Sequence, residues 1–192
     1  NYFNKNKVLI LYLITCLVGG VIWSSVIGMP MLTLTKNIGL KPSEASFFIL
    51  SMGILSNVLS ILVLKYFRHK NDHINLIFKF GLRLTLYLLV IIFNSKTILI
   101  IAFIYLLITD AMYSFIFDSH FINSVKEEYS LLITVLKYCA SLIGNSIGVF
   151  LCGLLFNLDI QYLTIPALII GIIHYIMCTI LINKKNYSLN RL

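Results

Sequence analysis

Residues 129–156 read YSLLITVLKYCASLIGNSIGVFLCGLLF and are long enough to cross a bilayer as one helix. Small and polar residues recur along this stretch at steps of four and three, so they share one helix face: Ser130, Thr134, Lys137, Ser141, Gly144 and Gly148. A lysine in an apolar span is costly unless it faces protein or water, and small residues let a second helix approach closely. The stretch therefore predicts a membrane helix that packs on a partner helix and presents a cation to a cavity.

The whole chain has the composition of an integral membrane protein. Of its 192 residues, 59% are hydrophobic and 11% are charged, whereas about a quarter of an average soluble domain is charged. Apolar runs of spanning length occur six times, at 8–34, 46–64, 74–93, 97–117, 129–156 and 162–182. We therefore expect an all-α fold, in which residues 1–192 form a single domain of six transmembrane helices in one bundle.

The net charge of +8 is distributed as membrane topology requires, so it does not indicate a nucleic-acid partner. With the N-terminus inside, ten basic residues fall on the cytoplasmic side and three on the outer side. The cytoplasmic set is Lys5, Lys7, Lys65, Arg68, Lys70, Lys79, Lys126, Lys184, Lys185 and Arg191, and the outer set is Lys36, Lys41 and Lys96. This asymmetry predicts a multi-pass protein of the plasma (inner) membrane with both termini in the cytoplasm.

Three charged residues lie deep within the expected spans. Arg83, Asp110 and Lys137 are each about 10–14 Å from the cytoplasmic end of their helix, at nearly one level. A charged residue inside the membrane indicates a functional site, and it usually pairs with a group of opposite charge. We expect Asp110 to pair with Lys137, with Arg83 as the alternative partner. An internal ion pair that only fixes helix packing is the competing interpretation.

Uncharged polar residues accompany these charges. On the fourth span Ser114 follows Asp110 on the same face, together with Phe117 and Asp118. Asn145 lies beside the stripe that contains Ser141, and Asn57 belongs to a second small and polar stripe on the second span. The candidates for substrate or ion coupling are therefore Asp110, Lys137, Arg83, Ser114, Ser141, Asn57 and Asn145.

The remaining titratable residues do not form a recognisable catalytic or metal site. Residues 65–75, KYFRHKNDHIN, contain two histidines and an aspartate, but their spacing fits a solvated cytoplasmic loop better than a ligand set. We place residues 118–128, DSHFINSVKEE, in the next cytoplasmic loop. The midspan His174 can carry protons or simply pack. We expect no enzyme activity, no metal and no cofactor.

Two regions resemble the major facilitator superfamily of transporters. Residues 60–70, SILVLKYFRHK, are similar to the basic loop between its second and third helices, although Leu64 and Phe67 replace an aspartate and a glycine of the pattern. Residues 119–156 resemble a later charged loop and glycine-bearing helix of the family. The matching glycines are Gly144, Gly148 and Gly153, while Val149 stands where many exporters have proline.

The resemblance implies one six-helix half of a twelve-helix transporter, more similar to the C-terminal half. It implies that the first, second, fourth and fifth helices line a central cavity, and that Asp110 and Lys137 act in substrate or ion coupling. It also implies a cytoplasmic gating loop containing Lys65, Arg68 and Lys70.

The expected function is therefore a secondary active transporter, or half of one, that moves a small solute by alternating access, with export as one direction. Its partners would be the lipid bilayer, a small-molecule substrate and a second six-helix half or another copy. The basic residues favour an anionic or zwitterionic solute. The alternative is a complete six-helix substrate-binding subunit of a multi-component transporter.

Overall fold

The computed structural model describes residues 7–24, 33–67, 72–122, 127–155, 158 and 160–189. Within these ranges the chain is helical, and no strand occurs among them. Six long helices follow one another, with a short π-helical segment, Thr33–Ile38, before the second. The helices are α1 (Lys7–Trp23), α2 (Pro42–Phe67), α3 (72–93), α4 (Lys96–Ile122), α5 (Glu127–Leu155) and α6 (Ile160–Leu189). The expected all-α fold is confirmed.

Four helices are long and apolar enough to cross a membrane. Their spanning portions are Pro42–Tyr66 of α2, His73–Phe93 of α3, Tyr129–Leu155 of α5 and Thr164–Asn183 of α6. The described apolar portions of α1 and α4 are shorter, at Lys7–Trp23 and Lys96–Thr109. The chain is thus a helical membrane protein in which spanning length is shown for four of the six expected spans.

Two helix ends differ from the sequence prediction. We placed Asp118 in a loop, but α4 continues to Ile122, because no glycine or proline interrupts the chain between Phe117 and that residue. Likewise, α6 extends to Leu189, beyond the expected end at residue 182. The first expected span, 8–34, appears as α1 up to Trp23, and residues 25–32 lie outside the described ranges.

The third helix is continuous but not uniform. It consists of Asp72–Leu76, a π-helical segment Ile77–Gly81 and Leu82–Phe93, with right-handed helical backbone at both junctions. Asn94 then adopts the left-handed conformation (φ 46°), and its N–H donates to the carbonyl of Val90. This cap ends α3 and allows α4 to begin at Lys96.

The helices pack in a pattern that is unchanged when the first three are exchanged for the last three. The main neighbours are α1 with α5, α2 with α4 and α3 with α6, followed by α1 with α6 and α3 with α4. Exchanging α1, α2 and α3 for α4, α5 and α6 converts α3 with α6 into itself and each of the other pairs into another pair of the same set. The bundle therefore has the contact pattern of two related three-helix units.

Glycines bring the backbones of α1 and α5 into direct contact. A Cβ atom added to Gly144 would overlap the carbonyl oxygen of Leu17, and one added to Gly148 would lie 2.5 Å from the carbonyl oxygen of Val21. From the opposite side, a Cβ on Gly20 would overlap the carbonyl oxygen of Ser141. The close helix packing that the stripe on α5 predicted is confirmed, and α1 is the partner.

Candidate functional site: a charged cavity inside the bundle

A cavity of about 420 Å³ lies among α1, α3, α4, α5 and α6. This volume falls in the range of pockets that bind small molecules, about 300–1,000 Å³. Every one of these helices contributes a polar or charged residue to the wall: Thr15 from α1, Lys79 from α3, Asp118 from α4, Lys137 from α5 and His174 from α6. A polar cavity inside an apolar bundle is the natural candidate for the functional site.

The α5 wall includes three of the candidate residues identified from sequence. Lys137, Ser141 and Asn145 follow one another at intervals of four, and all three line the cavity. The Asn145 Oδ1 atom is buried and has no hydrogen-bond donor among the described residues. This face of α5 thus presents polar groups to the cavity, while their part in substrate or ion coupling stays a prediction.

Asp118 links α4 to both α5 and α1. Its Oδ2 atom accepts a hydrogen bond from the Lys137 ammonium and forms an ion pair with it, while its Oδ1 atom accepts a 2.8 Å hydrogen bond from the Tyr12 hydroxyl. The Lys137 and Asp118 side chains remain 17% and 15% exposed, so a solute in the cavity can reach them. The Lys137 Nζ atom also lies 5.1 Å from the ring centroid of Tyr138.

The carboxylate that pairs with Lys137 is therefore two turns beyond the one we expected. Residues 110, 114 and 118 are spaced by four along α4, so the shared face of Asp110, Ser114 and Asp118 was already visible in the sequence. Sequence reasoning missed Asp118 because it ended the helix too early. The side chains of Asp110 and Ser114 lie outside the described part of the structure, so an Asp110–Lys137 pair stays a prediction.

The α1 wall carries Thr15, Gly19 and Trp23, again at intervals of four. Gly19 leaves room for the imidazole of His174, because an added Cβ would lie 3.2 Å from its Cε1 atom. That imidazole also packs edge-to-face on Phe80, with 5.1 Å between ring centroids. His174 is thus held in the cavity wall by contacts with α1 and α3.

Among the described residues of the cavity wall, Lys79 is a second lysine beside Lys137, and it was not predicted as a site residue. It was counted among the basic residues at cytoplasmic helix ends, yet its side chain is only 2% exposed and lines the cavity. It lies in the π-helical segment of α3, and π-helical turns often occur at functional sites. The Tyr105 hydroxyl of α4 donates a hydrogen bond to the Phe78 carbonyl of this segment, which ties it to α4.

Arg83, one turn beyond Lys79, is buried in the packing between α3 and α4. Its Nη2 atom donates a 3.5 Å hydrogen bond to the Thr109 hydroxyl, and its guanidinium lies 5.7 Å from the ring centroid of Phe80. Arg83 is not among the described residues that line the cavity. The structure thus places Arg83 at a helix contact beside the cavity.

The other predicted residues do not join this site. Asn57 is on an exposed face of α2, where its Nδ2 atom donates to the Gly53 carbonyl at 3.0 Å. In the expected gating loop, Lys65 is exposed near the end of α2, and Arg68 and Lys70 lie outside the described residues. Of the helices expected to line the cavity, α1, α4 and α5 do so, whereas α2 packs on α4 instead and α3 and α6 contribute.

The described groups of the site offer hydrogen bonding and charge. In the part of the chain that the structure describes, no three His, Cys, Asp or Glu residues are grouped so that they can hold a metal ion. No protein-family model matches the chain, and comparison with curated proteins and with solved structures likewise finds no match.

Proposed function

We propose that the chain is a secondary active transporter, or half of one, that moves a small solute across the membrane by alternating access. The observation that carries this proposal is the cavity, because its wall contains an ion pair between Lys137 and Asp118 inside the helical bundle. Charged residues inside membrane helices commonly mark the path of a substrate or ion. The resemblance to the major facilitator superfamily supports the same proposal.

Among the described residues, the ion pair connects helices that have few other contacts. There, α1 and α5 are held together through their glycine faces, whereas α4 packs mainly on α2 and α3 and only slightly on α5. The hydrogen bonds of Asp118 to Tyr12 and Lys137 therefore bridge two parts of the bundle across the cavity. A polar bridge of this kind can break and form again as a cavity opens and closes, which alternating access requires.

The packing pattern supports a transporter in a second way. Two related three-helix units, each with an odd number of spans, are inserted with opposite orientation when all six helices cross the membrane. Inverted repeats of this kind, including three-helix units, recur among secondary transporters, with the binding site at the interface between repeats. The cavity here draws residues from both units, α1 and α3 from the first and α4, α5 and α6 from the second.

We infer that all six helices span the plasma membrane and that both termini are cytoplasmic, as the distribution of basic residues favours. α2 and α5 correspond under the exchange of units and are the least buried of the four spanning helices. Their exposed faces carry large apolar side chains such as Leu50, Ile54 and Leu131. These faces suit contact with lipid and with a second six-helix half or another copy.

Transport by the complete native polypeptide in proteoliposomes tests the proposal. Uptake of a labelled panel of small carboxylates, amines and neutral solutes would be compared for the native protein and for Lys137→Met, Asp118→Asn and the double variant. We expect each single change to lower the initial rate by on the order of tenfold or more, because it leaves a charge unpaired inside the membrane. The double variant should not be slower than the single variants.

Lys96→Met is the matched control, since it removes an exposed lysine at the start of α4, outside the described cavity wall. Full transport by both single variants would show that the pair only fixes helix packing, and would overturn its role in transport. Solute binding without uptake by the native polypeptide would instead favour the substrate-binding subunit of a multi-component transporter.

A further inference from the structure

The ion pair between Lys137 and Asp118 has hydrogen-bonding capacity left on both of its groups. A lysine ammonium carries three N–H donors, and among the described residues Asp118 accepts from one of them. A carboxylate offers about four lone-pair sites, and the described donors to Asp118 are Lys137 and the Tyr12 hydroxyl. Both charged side chains line the cavity and remain 17% and 15% exposed, so the cavity presents a donor and an acceptor side by side.

The pair has no net charge, which determines the kind of ligand that fits beside it. A purely anionic ligand is attracted by Lys137 but repelled by Asp118, and a purely cationic ligand meets the reverse. A zwitterion that places its carboxylate on Lys137 and its ammonium on Asp118 leaves none of the four charges unpaired. Lys79 is a further charged residue of the described lining, but it is buried and has interactions of its own, so it adds no free charge to this balance.

The spacing of the pair limits how far apart the two charges of the ligand can be. The Lys137 Nζ and Asp118 Oδ2 atoms are in hydrogen-bond contact, so a ligand that contacts both needs its ammonium and its carboxylate close together. In an α-amino acid both groups are attached to one carbon atom. A chain with the two groups at opposite ends has to fold back on itself, and this ordering costs free energy.

Apolar surface lies beside the pair on α5. The ring centroid of Tyr138 is 5.1 Å from the Lys137 Nζ atom, and Leu142 lies about one turn further along the helix. Both side chains line the cavity. They offer an apolar contact to the side chain of a ligand whose charged end is held by the pair.

We propose that the cavity binds an α-amino acid with an apolar side chain. Its carboxylate accepts hydrogen bonds from the Lys137 ammonium, its ammonium donates to Asp118, and its side chain lies against Tyr138 and Leu142. The inference rests on the proposed function in one respect: the bound amino acid is taken to be the transported solute.

Four ligands of similar size separate the two charges and their spacing. L-Leucine carries both charged groups on one carbon atom, and 6-aminohexanoate is its isomer with these groups at opposite ends. The other two ligands each lack one group: 4-methylpentanoate has no ammonium, and 3-methylbutylamine has no carboxylate. Equilibrium dialysis of the complete protein in detergent would measure the binding of each ligand in labelled form, with empty micelles as the background.

We expect L-leucine to bind more tightly than each of the other three by on the order of tenfold or more. Two of them lose a charge-assisted hydrogen bond, and 6-aminohexanoate loses the spacing that allows both bonds at once. L-Alanine should bind more weakly than L-leucine, because it buries less apolar surface.

Single changes of the pair should reverse the order of affinities. Lys137→Met leaves a lone carboxylate, so 3-methylbutylamine should then bind more tightly than L-leucine, and in Asp118→Asn 4-methylpentanoate should do so. A pair that only fixes helix packing would not produce such a reversal. Lys96→Met should leave all affinities unchanged. The order of affinities for the native protein decides the inference even if a variant does not fold.

Tighter binding of 4-methylpentanoate or of 3-methylbutylamine than of L-leucine to the native protein would overturn the inference, in favour of an anion site or a cation site. Equal affinities for L-leucine and 6-aminohexanoate, or no binding of L-leucine, would overturn it as well. Uptake of L-leucine and of the labelled panel separates this inference from the proposed function. L-Leucine binding without any uptake contradicts a transporter, whereas uptake of another solute without L-leucine binding contradicts only the assignment of the amino acid.

Discussion

Arg83 is the most deeply buried charged residue among those described, with 1% of its surface exposed. A guanidinium cannot lose its charge in a protein, so its donors need acceptors inside the bundle. The Thr109 hydroxyl supplies one of them, at 3.5 Å from Nη2, and the same hydroxyl donates to the Tyr105 carbonyl at 2.8 Å. The Thr109 Oγ1 atom thus donates a hydrogen bond within α4 and accepts one from the Arg83 guanidinium of α3.

Thr109→Val should destabilise the protein more than an equivalent change elsewhere. Valine keeps the shape of threonine but removes the acceptor, and loss of a hydrogen bond to a buried charge costs about 1–3 kcal/mol. Thr179→Val is the control. The Thr179 hydroxyl likewise donates to the carbonyl four residues earlier, but among the described residues it accepts no hydrogen bond from an arginine. Thermal unfolding followed by circular dichroism measures both, and equal losses would mean that Arg83 does not depend on Thr109.

At single positions, helical spacing was enough to identify three residues that the structure places in the cavity wall. Lys137, Ser141 and Asn145 were identified because they share the polar side of a predicted helix. Asp118 and Lys79 were missed for a different reason: each lies near an expected helix end, where a charged residue is ordinarily solvated. Their burial depends on how far α4 extends and on the π-helical segment of α3, and the apolar pattern encodes neither of these.

Among the helices, the α1–α5 contact shows most directly how sequence becomes structure. Gly20, Gly144 and Gly148 are placed so that each lies against the backbone of the other helix. The stripe on α5 predicted that some helix would pack there. It could not predict which helix, because small residues permit any helix to approach closely. The packing of the whole bundle determines that α1 is the partner.

Gly144→Ala should therefore be strongly destabilising, while Gly153→Ala on the same helix should not. The methyl group at residue 144 meets the carbonyl of Leu17, and a backbone cannot move aside as a side chain can. Nothing lies within 4 Å of a Cβ at residue 153, where alanine gains helix propensity. Overpacking typically costs about 1–3 kcal/mol, measurable as a lower unfolding temperature in detergent. Equal stability of the two variants would contradict the backbone contact.

For the whole molecule, the helix contacts relate α1–α3 to α4–α6, a relation that no single span shows. α1 with α5 corresponds to α4 with α2, and α1 with α6 corresponds to α4 with α3. Each unit has three spans only if α1 and α4 also cross the membrane, and six crossings place both termini on one side. The described apolar parts of these two helices are the shortest, so the number of crossings is the property to measure.

Reporter fusions that fluoresce only in the cytoplasm should be active at both ends of the chain. A fusion after Asn94, in the turn between α3 and α4, should be inactive, because three crossings place that turn outside. Activity at one terminus alone would mean an odd number of crossings and would contradict the two-unit arrangement. Activity at all three positions would show that α4 does not follow an odd number of spans.

The glycine face of α1 also has a consequence for how the protein is made. α1 is complete at Trp23, but its partner α5 begins only at Glu127, about a hundred residues later. At a synthesis rate of about 5–20 residues per second, α1 waits roughly ten seconds in the membrane before α5 emerges from the ribosome. During that interval the face of α1 around Gly20 is uncovered, and other membrane helices can pack on it. We therefore expect that biogenesis depends on keeping this face of α1 vacant until α5 has been synthesised.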